Sequence, residues 1–255
     1  MSKKFKLGLI INPIAGIGGS VALKGSDGEN TLSQALALGA QPQANKRAAL
    51  ALSVLLPYQA DIEVYTVNDA MGADCACNLG FSTKVIYDTA ADSEKNSPST
   101  TPEDTEAAVQ ALVAEHVDII LFAGGDGTAR NVCQQVSNLS SQIPVLGIPA
   151  GCKIHSGVYA VTPQAAGRVL QQVLLGEIVS AHNADVMDID EVLFRQGNVK
   201  AKTYGEMLVP TELQYIQAVK MGGKESDELV LDDIAAEVID YMQDHPDHIF
   251  VMGSG

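Results

Sequence analysis

Short apolar segments alternate with helix-forming segments along the first 180 residues of the chain. Five of the apolar segments are rich in β-branched residues and bounded by Gly, Pro or Asp, which is typical of strands buried on both faces. Strands that alternate with helices pair in parallel and carry helices on both faces of their sheet. The sequence therefore predicts an α/β domain over residues 1–180, with strands at Leu7–Ile11, Ile62–Val67, Lys84–Tyr87, Val117–Phe122 and Val145–Ile148.

The predicted helices carry recognisable start signals. Thr101 stands before Pro102 and an acidic first turn, so it is predicted to be the N-cap of a helix over Pro102–Glu115. The other predicted helices are Gln164–Leu175, which follows a second Thr-Pro pair, and the Ala- and Leu-rich segment Asn45–Leu56. Two polar or small-residue stretches, Asn30–Gln43 and Ala90–Pro102, are predicted to be linkers.

The pattern changes after Gly176. Val186–Phe194 and Val199–Leu208 are predicted to form an antiparallel hairpin around a turn at Arg195–Asn198. This hairpin gives a small β element over residues 181–222. A helix at Asp227–Gln243 and a short strand at His248–Met252 are then predicted to return to the α/β domain over residues 223–255.

The segment Gly124-Gly125-Asp126-Gly127-Thr128 follows a predicted strand directly and precedes a helical pattern. The carboxyl end of a parallel strand is where open α/β sheets bind ligands. Its glycines permit positive φ and let the backbone approach a phosphate, and Thr128 can cap a helix whose free N–H groups face an anion. Asp126 is then placed to accept a hydroxyl proton or to hold a divalent cation. The alternative interpretation is a tight turn in which Asp126 is only a cap.

A second glycine-rich loop, Asn12–Ser20, follows the first predicted strand. It does not fit the dinucleotide-binding fingerprint, because Val21 stands where the third glycine is required. It does not fit the P-loop either, because Leu23 rather than glycine precedes Lys24. Lys24 could contact a phosphate, with a solvated loop as the alternative.

Three further polar residues are candidates for the same cleft. Arg130 lies in the first turn of the helix after the glycine motif, and Lys153 begins the loop after the strand at Val145–Ile148. Either could bind a phosphate or be solvated at the surface. His155 could line the cleft too, although a lone histidine is more often structural.

Charge narrows the class of ligand. The chain has 16 Lys and Arg against 31 Asp and Glu, a formal net charge of −15, which disfavours nucleic acids and acidic membrane surfaces as partners. Small nucleotides need only a few donors, a helix N-terminus and a divalent cation. No apolar run reaches the ~18 residues of a membrane span, and no secretory signal is evident, so a cytoplasmic location is expected. The cysteine spacing favours free thiols over a zinc site.

Taken together, these segments resemble the ATP-NAD kinase family. Gly124–Thr128 matches the GGDGT signature that NAD kinases share with diacylglycerol and sphingosine kinases and, more distantly, with 6-phosphofructokinases. The segments similar to the family branch that includes the acetoin-catabolism X-protein are Ile11–Gly16 with Lys24–Gly28, Ile148–Lys153 and Asp185–Glu191. The resemblance covers essentially the whole chain.

The resemblance implies transfer of a phosphoryl group from ATP to the adenosine-ribose 2′-hydroxyl of NAD, giving NADP. It also implies Mg²⁺ or Mn²⁺, a homo-oligomer and an NAD-kinase-like, Rossmann-like α/β domain followed by a β-rich part. Asp126 corresponds to the family's catalytic aspartate. The expected nucleotide-binding residues are Asn12, Gly16, Lys24, Gly124, Gly125, Gly127, Thr128, Arg130 and Lys153, and the candidate metal ligands are Asp126, Asp188 and Asp190.

One departure from the family pattern leaves more than one possible phosphoryl acceptor. NAD kinases hold nicotinamide-nucleotide groups with an Asn-Glu or Asn-Asp pair, whereas the nearest segment here, His182-Asn183-Ala184-Asp185, has an extra residue inside the pair. The alternatives are a kinase for another small hydroxyl acceptor and a nucleotide-binding regulatory protein of the same fold without turnover. A lipid kinase would need a basic or apolar membrane-facing surface that this acidic chain does not offer.

The last three residues prompt a further expectation. Gly253-Ser254-Gly255 resembles the start of a second glycine loop, but no helix follows it to supply an anion-binding N-terminus. The sequence therefore predicts a truncated form, with weak or absent kinase activity and association through uncovered apolar surface. The alternative is a frayed terminus.

Overall fold

The computed structural model describes residues 4–17, 29–89, 100–151, 154–189, 201–211 and 216, together with scattered positions between 235 and 250. The chain divides into two units, Met1–Val219 and Lys220–Gly255. The first unit contains the sheet, the helices and the hairpin that are described below.

A parallel sheet forms the centre of the first unit. Its order is β3-β2-β1-β4-β5, and every pairing is parallel, which confirms the predicted α/β class. The strand order reverses between β1 and β4, so the loops after these two strands lie at the position where open α/β sheets bind ligands. The strands are β1 (Phe5–Ile11), β2 (Ile62–Val67), β3 (Ser82–Tyr87), β4 (Ile119–Gly124) and β5 (Val145–Pro149).

Helices cover both faces of this sheet. Side chains on β1 alternate between the two cores: Leu7, Leu9 and Ile11 lie in one, and Ile10 lies in the other. The helices are α1 (Glu29–Ala37), α2 (Ala44–Ser53), α3 (Ala73–Asn78), α4 (Pro102–Ala114), α5 (Asp126–Asn138) and α6 (Pro163–Leu174). Helices α2 and α6 pack against each other over the first core, and α4 and α5 pack over the second.

The predicted start signals of α4 and α6 are confirmed. The backbone N–H of Thr101 donates to the carboxylate of Asp104 at 2.8 Å, as in a capping box. The hydroxyl oxygen of Thr162 accepts from the backbone N–H of Ala165 at 3.0 Å. Local sequence therefore determines where these two helices begin.

Two expectations about local structure are wrong. The stretch Asn30–Gln43 is not a linker throughout, because α1 occupies Glu29–Ala37, where Glu, Gln, Leu and Ala favour a helix. Strand β3 is not buried on both faces, since it is an edge strand and Val85 is 45% exposed. Helix α3 has only six residues, and no local pattern predicted it.

The late antiparallel element is confirmed. Strands β6 (Ala181–Ile189) and β7 (Ala201–Pro210) pair from Ala181–Pro210 to Ile189–Ala201, with a register shift between Val186 and Met187. The buried side chains of this hairpin join the core of α4 and α5. The turn predicted at Arg195–Asn198 lies outside the described residues.

Little of the predicted C-terminal structure falls within the described residues. Residues 238–244 are helical, in agreement with the end of the predicted helix at Asp227–Gln243. Most of the predicted strand at His248–Met252, and all of Gly253–Gly255, lie outside the described residues. Among the described helices, none is both long and apolar enough to cross a lipid bilayer.

Three of the four cysteines lie in the described part of the chain, and all three are free thiols. Cys75 is buried and Cys77 is exposed, on different sides of α3. Burial raises the pKa of the Cys75 thiol to about 11, so it stays protonated and inert at neutral pH.

Candidate functional site

The loops that follow β1 and β4 meet where the strand order reverses. The backbone N–H of Asn12 donates to the carbonyl oxygen of Ala123 at 2.9 Å. The Asn12 side chain donates from Nδ2 to Oγ1 of Thr128 at 3.1 Å and accepts from the backbone N–H of Ile14 at 3.2 Å. As expected, the structure places both glycine-rich loops at the same edge of the sheet.

Gly124 in the glycine motif is required because a side chain would not fit there, and not because its backbone has a positive φ. None of its three glycines has a positive φ, which corrects the expectation from sequence. A Cβ on Gly124 would lie 2.4 Å from the side chain of Thr128, so only glycine fits there, whereas Gly127 faces open space. Thr128 is not the N-cap, because α5 begins at Asp126 with Gly125 as its N-cap. The Thr128 hydroxyl instead accepts the bond from Asn12.

A third loop, after β5, closes on the other two. Gly16 has a φ of +72°, and a Cβ there would lie 2.2 Å from the carbonyl oxygen of Ala150. A Cβ on Gly151 would lie 3.0 Å from the Cα of Gly125. The three loops therefore pack backbone against backbone at the carboxyl edge of the sheet.

Asp126 lies at the centre of this edge, at the first position of α5, and is 7% exposed. Its Oδ2 accepts from the backbone N–H of His155 at 2.8 Å and lies 3.1 Å from Nδ1 of the same residue. Its Oδ1 accepts from the backbone N–H of Ser156 at 3.1 Å and from the Ser156 hydroxyl at 2.7 Å. The carboxylate thus holds the segment 155–156 against the N-terminus of α5.

The same segment attaches the hairpin to the sheet. Oγ of Ser156 accepts from the backbone N–H of Met187 at 3.0 Å and lies 2.9 Å from the Met187 carbonyl oxygen. The backbone N–H of Gly157 donates to the carbonyl oxygen of Asp185 at 2.9 Å. These contacts fall at the register shift in β6, so Ser156 satisfies backbone groups that the shift removes from regular pairing.

A buried tyrosine, Tyr159, forms a hydrogen bond with the N-cap residue of α5. The hydroxyl of Tyr159 donates to the carbonyl oxygen of Gly125 at 2.7 Å. Its ring packs edge-on against Phe122, with centroids 5.3 Å apart. Burial holds the pKa of Tyr159 well above its ordinary value, with the charges of Asp126 and Asp188 as further causes. Tyr159 therefore remains a neutral donor that fixes the glycine loop.

The other predicted site residues have mixed outcomes. Arg130 forms an ion pair with Asp188 at 3.0 Å, and its guanidinium lies 5.4 Å from the ring centroid of Tyr204. In this arrangement Arg130 joins α5 to both strands of the hairpin. Lys24, Lys153 and Asp190 lie outside the described residues.

The described residues do not fit a metal held by the protein alone. Four donors already occupy the Asp126 carboxylate, and Asp188 is paired with Arg130. In the part of the chain that the structure describes, no three His, Cys, Asp or Glu side chains converge.

Sequence reasoning named His155 as a candidate for the cleft but did not predict its contact with Asp126, and it missed Ser156 and Tyr159. They lie 29 to 33 residues beyond Asp126, and no spacing rule connects them to it. The one available signal was topological, since His155 follows the strand next to β4 and so belongs to the same edge.

The profile of the ATP-NAD kinase N-terminal domain matches residues 7–178 of this chain. No curated protein sequence matches it. Among solved structures, three of a diacylglycerol kinase from Bacillus anthracis strain Sterne, two of them with a provisional assignment of that activity, are similar at 16%, 17% and 16% identity. They cover 74% of this chain each, with TM-scores of 0.38, 0.36 and 0.35. This chain covers 45%, 47% and 48% of theirs, which is less than half of their length.

Proposed function

Because this chain belongs to the ATP-NAD kinase family, we propose that it transfers the γ-phosphoryl group of ATP to the adenosine-ribose 2′-hydroxyl of NAD, producing ADP and NADP. The observation that carries the proposal is the position of the Gly124–Thr128 motif. It follows β4 at the reversal of strand order, inside the region that matches the family. Crevices at this place in open α/β sheets bind nucleotides.

The geometry suits phosphoryl transfer, which depends mainly on positioning and on neutralising charge. The free N–H groups at the start of α5 face the edge where three loops meet, and such groups attract phosphate. Gly127, where a Cβ would meet nothing within 4 Å, leaves room for a ligand to approach the backbone, whereas the glycines at 124, 125 and 151 let the loops pack closely. Mg²⁺ would arrive with ATP and neutralise its phosphate charge when bound.

Roles for the remaining candidates are part of this proposal. Asn12 and Gly16 border the crevice from the β1 loop, and Thr128 is fixed by Asn12. Arg130 would reach a phosphate only by leaving Asp188, so its contribution depends on breaking that ion pair. A homo-oligomer is proposed as well, and light scattering of the purified chain tests it.

The acceptor is tested by supplying ATP, Mg²⁺ and NAD and measuring ADP and NADP separately. Equal amounts of the two products support NAD as acceptor. ADP without NADP would mean that the phosphoryl group went to water, and ADP release that rises when another small hydroxyl compound is added would identify that compound as the acceptor. Nucleotide binding with neither product would favour a regulatory protein of the same fold.

Asp126→Asn tests the site itself. Loss of a positioned acid–base group, or of the residue that positions it, is expected to lower the rate by about 10²–10⁴-fold. Asp61→Asn is the matched control, because Asp61 is exposed and precedes β2 at the opposite edge of the sheet. Equal rates for both variants would show that Asp126 has only a structural role.

A further inference from the structure

The Asp126 carboxylate has no acceptor position to spare. It receives two backbone N–H groups, one hydroxyl and one imidazole nitrogen, at 2.7 to 3.1 Å. A carboxylate offers about four lone-pair sites. To take a proton from a substrate hydroxyl directly, Asp126 would have to release a donor that also holds the segment 155–156 in place.

His155 is arranged differently. Oδ2 of an ionised carboxylate can only accept, so the 3.1 Å contact requires Nδ1 of His155 to carry the proton. The hydrogen bond made by one ring nitrogen determines the state of the other. In the tautomer with the proton on Nδ1, Nε2 has a lone pair, and no described residue bonds to it. The imidazole is 15% exposed, about twice the fraction of Asp126.

Backbone hydrogen bonds fix the orientation of the His155 ring relative to the Asp126 carboxylate. The N–H of His155 donates to the same Oδ2 that its Nδ1 contacts, so the main chain and the ring are both held by one oxygen. Ser156, the next residue, is bonded to Oδ1 and to β6. The ring is thus attached to a rigid element on each side, as pre-organised catalysis requires.

We propose that His155 is the proton acceptor of this site and that Asp126 is the residue that positions it. This proposal rests on the proposed phosphoryl transfer. The acceptor hydroxyl gives its proton to Nε2 of His155 while its oxygen forms a bond to the γ-phosphorus of ATP. The bond from the γ-phosphorus to the bridging oxygen breaks, and ADP leaves with the electron pair. The imidazolium forms an ion pair with Asp126 and later returns its proton to water.

The first test determines the tautomer of the His155 ring and does not depend on enzymatic activity. Two-bond ¹H–¹⁵N spectra of ¹⁵N-histidine-labelled protein distinguish a protonated ring nitrogen from an unprotonated one, and His155→Asn identifies the His155 signals by their loss. We expect a protonated Nδ1 and an unprotonated Nε2 in the wild-type chain. The Asp126→Asn variant should lose this preference. A proton on Nε2 in the wild type would overturn the proposal.

The second test is kinetic. His155→Asn keeps an amide N–H near the position of Nδ1, so it can still donate to Asp126, but it has no basic nitrogen. We expect the kcat for ADP release to fall by about 10²–10⁴-fold, with a much smaller change in the KM for ATP. The matched control is His116→Asn, since His116 is exposed, precedes β4 at the opposite edge and has a φ of +53°, which asparagine tolerates.

The outcomes separate this proposal from the proposed function. NADP formation that survives His155→Asn within about threefold overturns the role of His155 and leaves the NAD kinase proposal standing. ADP release without NADP overturns NAD as acceptor, while the comparison of His155→Asn with wild type still decides the role of His155. A wild-type chain that releases no ADP overturns both. If His155→Asn fails to fold, His155→Gln identifies the His155 signals by their loss instead, and the tautomer of the wild-type chain still decides.

Discussion

Ser156→Ala should destabilise the first unit more than any ordinary serine replacement. The hydroxyl is buried, donates to Asp126 at 2.7 Å and accepts from the Met187 N–H at 3.0 Å. A hydrogen bond to a charged group contributes about 1.5–3 kcal/mol, and a buried donor left without a partner costs about 1–3 kcal/mol. Asp126 retains three other donors, so the loss there lies at the low end. We expect a total of about 2–4 kcal/mol.

The assay is urea unfolding followed by far-ultraviolet circular dichroism. Ser53→Ala is the matched control, because the Ser53 hydroxyl is exposed and donates only to a carbonyl one turn earlier in α2, at 2.7 Å. Surface changes of this kind alter the free energy of unfolding by less than about 0.5 kcal/mol. An unchanged m-value would confirm that the comparison concerns stability alone.

A double-mutant cycle shows whether the effect passes through Asp126. Residues in one hydrogen-bond network have coupling energies of about 0.5–3 kcal/mol, so Ser156→Ala should cost less in an Asp126→Asn background. Equal stability of Ser156→Ala and Ser53→Ala, or strict additivity in the cycle, would refute the role that we assign to this hydroxyl.

Two further predictions concern stability elsewhere in the sheet. Gly124→Ala should lower the free energy of unfolding by about 1–3 kcal/mol, because its Cβ would lie 2.4 Å from Thr128. Gly127→Ala, with open space around it, should leave the urea midpoint unchanged or raise it, and equal midpoints for both would contradict this. A hydrogen bond to Glu63 raises the pKa of Tyr65 to about 12, so its stabilising effect is complete below pH ~10 and is lost as the pH rises towards 12. The stability difference between wild type and Tyr65→Phe should therefore shrink between about pH 10 and pH 12, and a constant difference would count against it.

Local and topological signals account for what the sequence predicted correctly. The five strands were predicted to within two residues at each end, because short β-branched runs bounded by Gly, Pro or Asp occur mainly as buried strands. Parallel pairing then places the carboxyl ends of neighbouring strands together. Asn12 and Thr128 were expected at one edge for that reason, although 116 residues separate them.

The errors concern features that depend on tertiary contacts rather than on local sequence. Whether β3 lies at the centre or at the edge depends on strand order, which no single segment encodes. Thr128 was expected to cap α5, yet α5 begins two residues earlier and its hydroxyl bonds to a residue from another loop. The partners of Asp126 come from a segment about 30 residues away, and only the folded sheet brings them within hydrogen-bond distance.

Asp126→Asn is not a conservative change, because it disturbs the hydrogen bonds around the carboxylate. The kinetics of this variant must therefore be interpreted together with its stability. The carboxylate faces four donors, whereas an amide has one oxygen and a nitrogen that itself donates. Whichever way the amide turns, its nitrogen meets at least one backbone N–H, of His155 or of Ser156. The variant must therefore lose stability even if Asp126 never touches a substrate, so a lower rate in this variant does not by itself make Asp126 the proton acceptor. His155→Asn preserves the donor to Asp126 and leaves both backbone bonds in place, so a loss of rate without a comparable loss of stability in that variant would assign the proton transfer to the histidine.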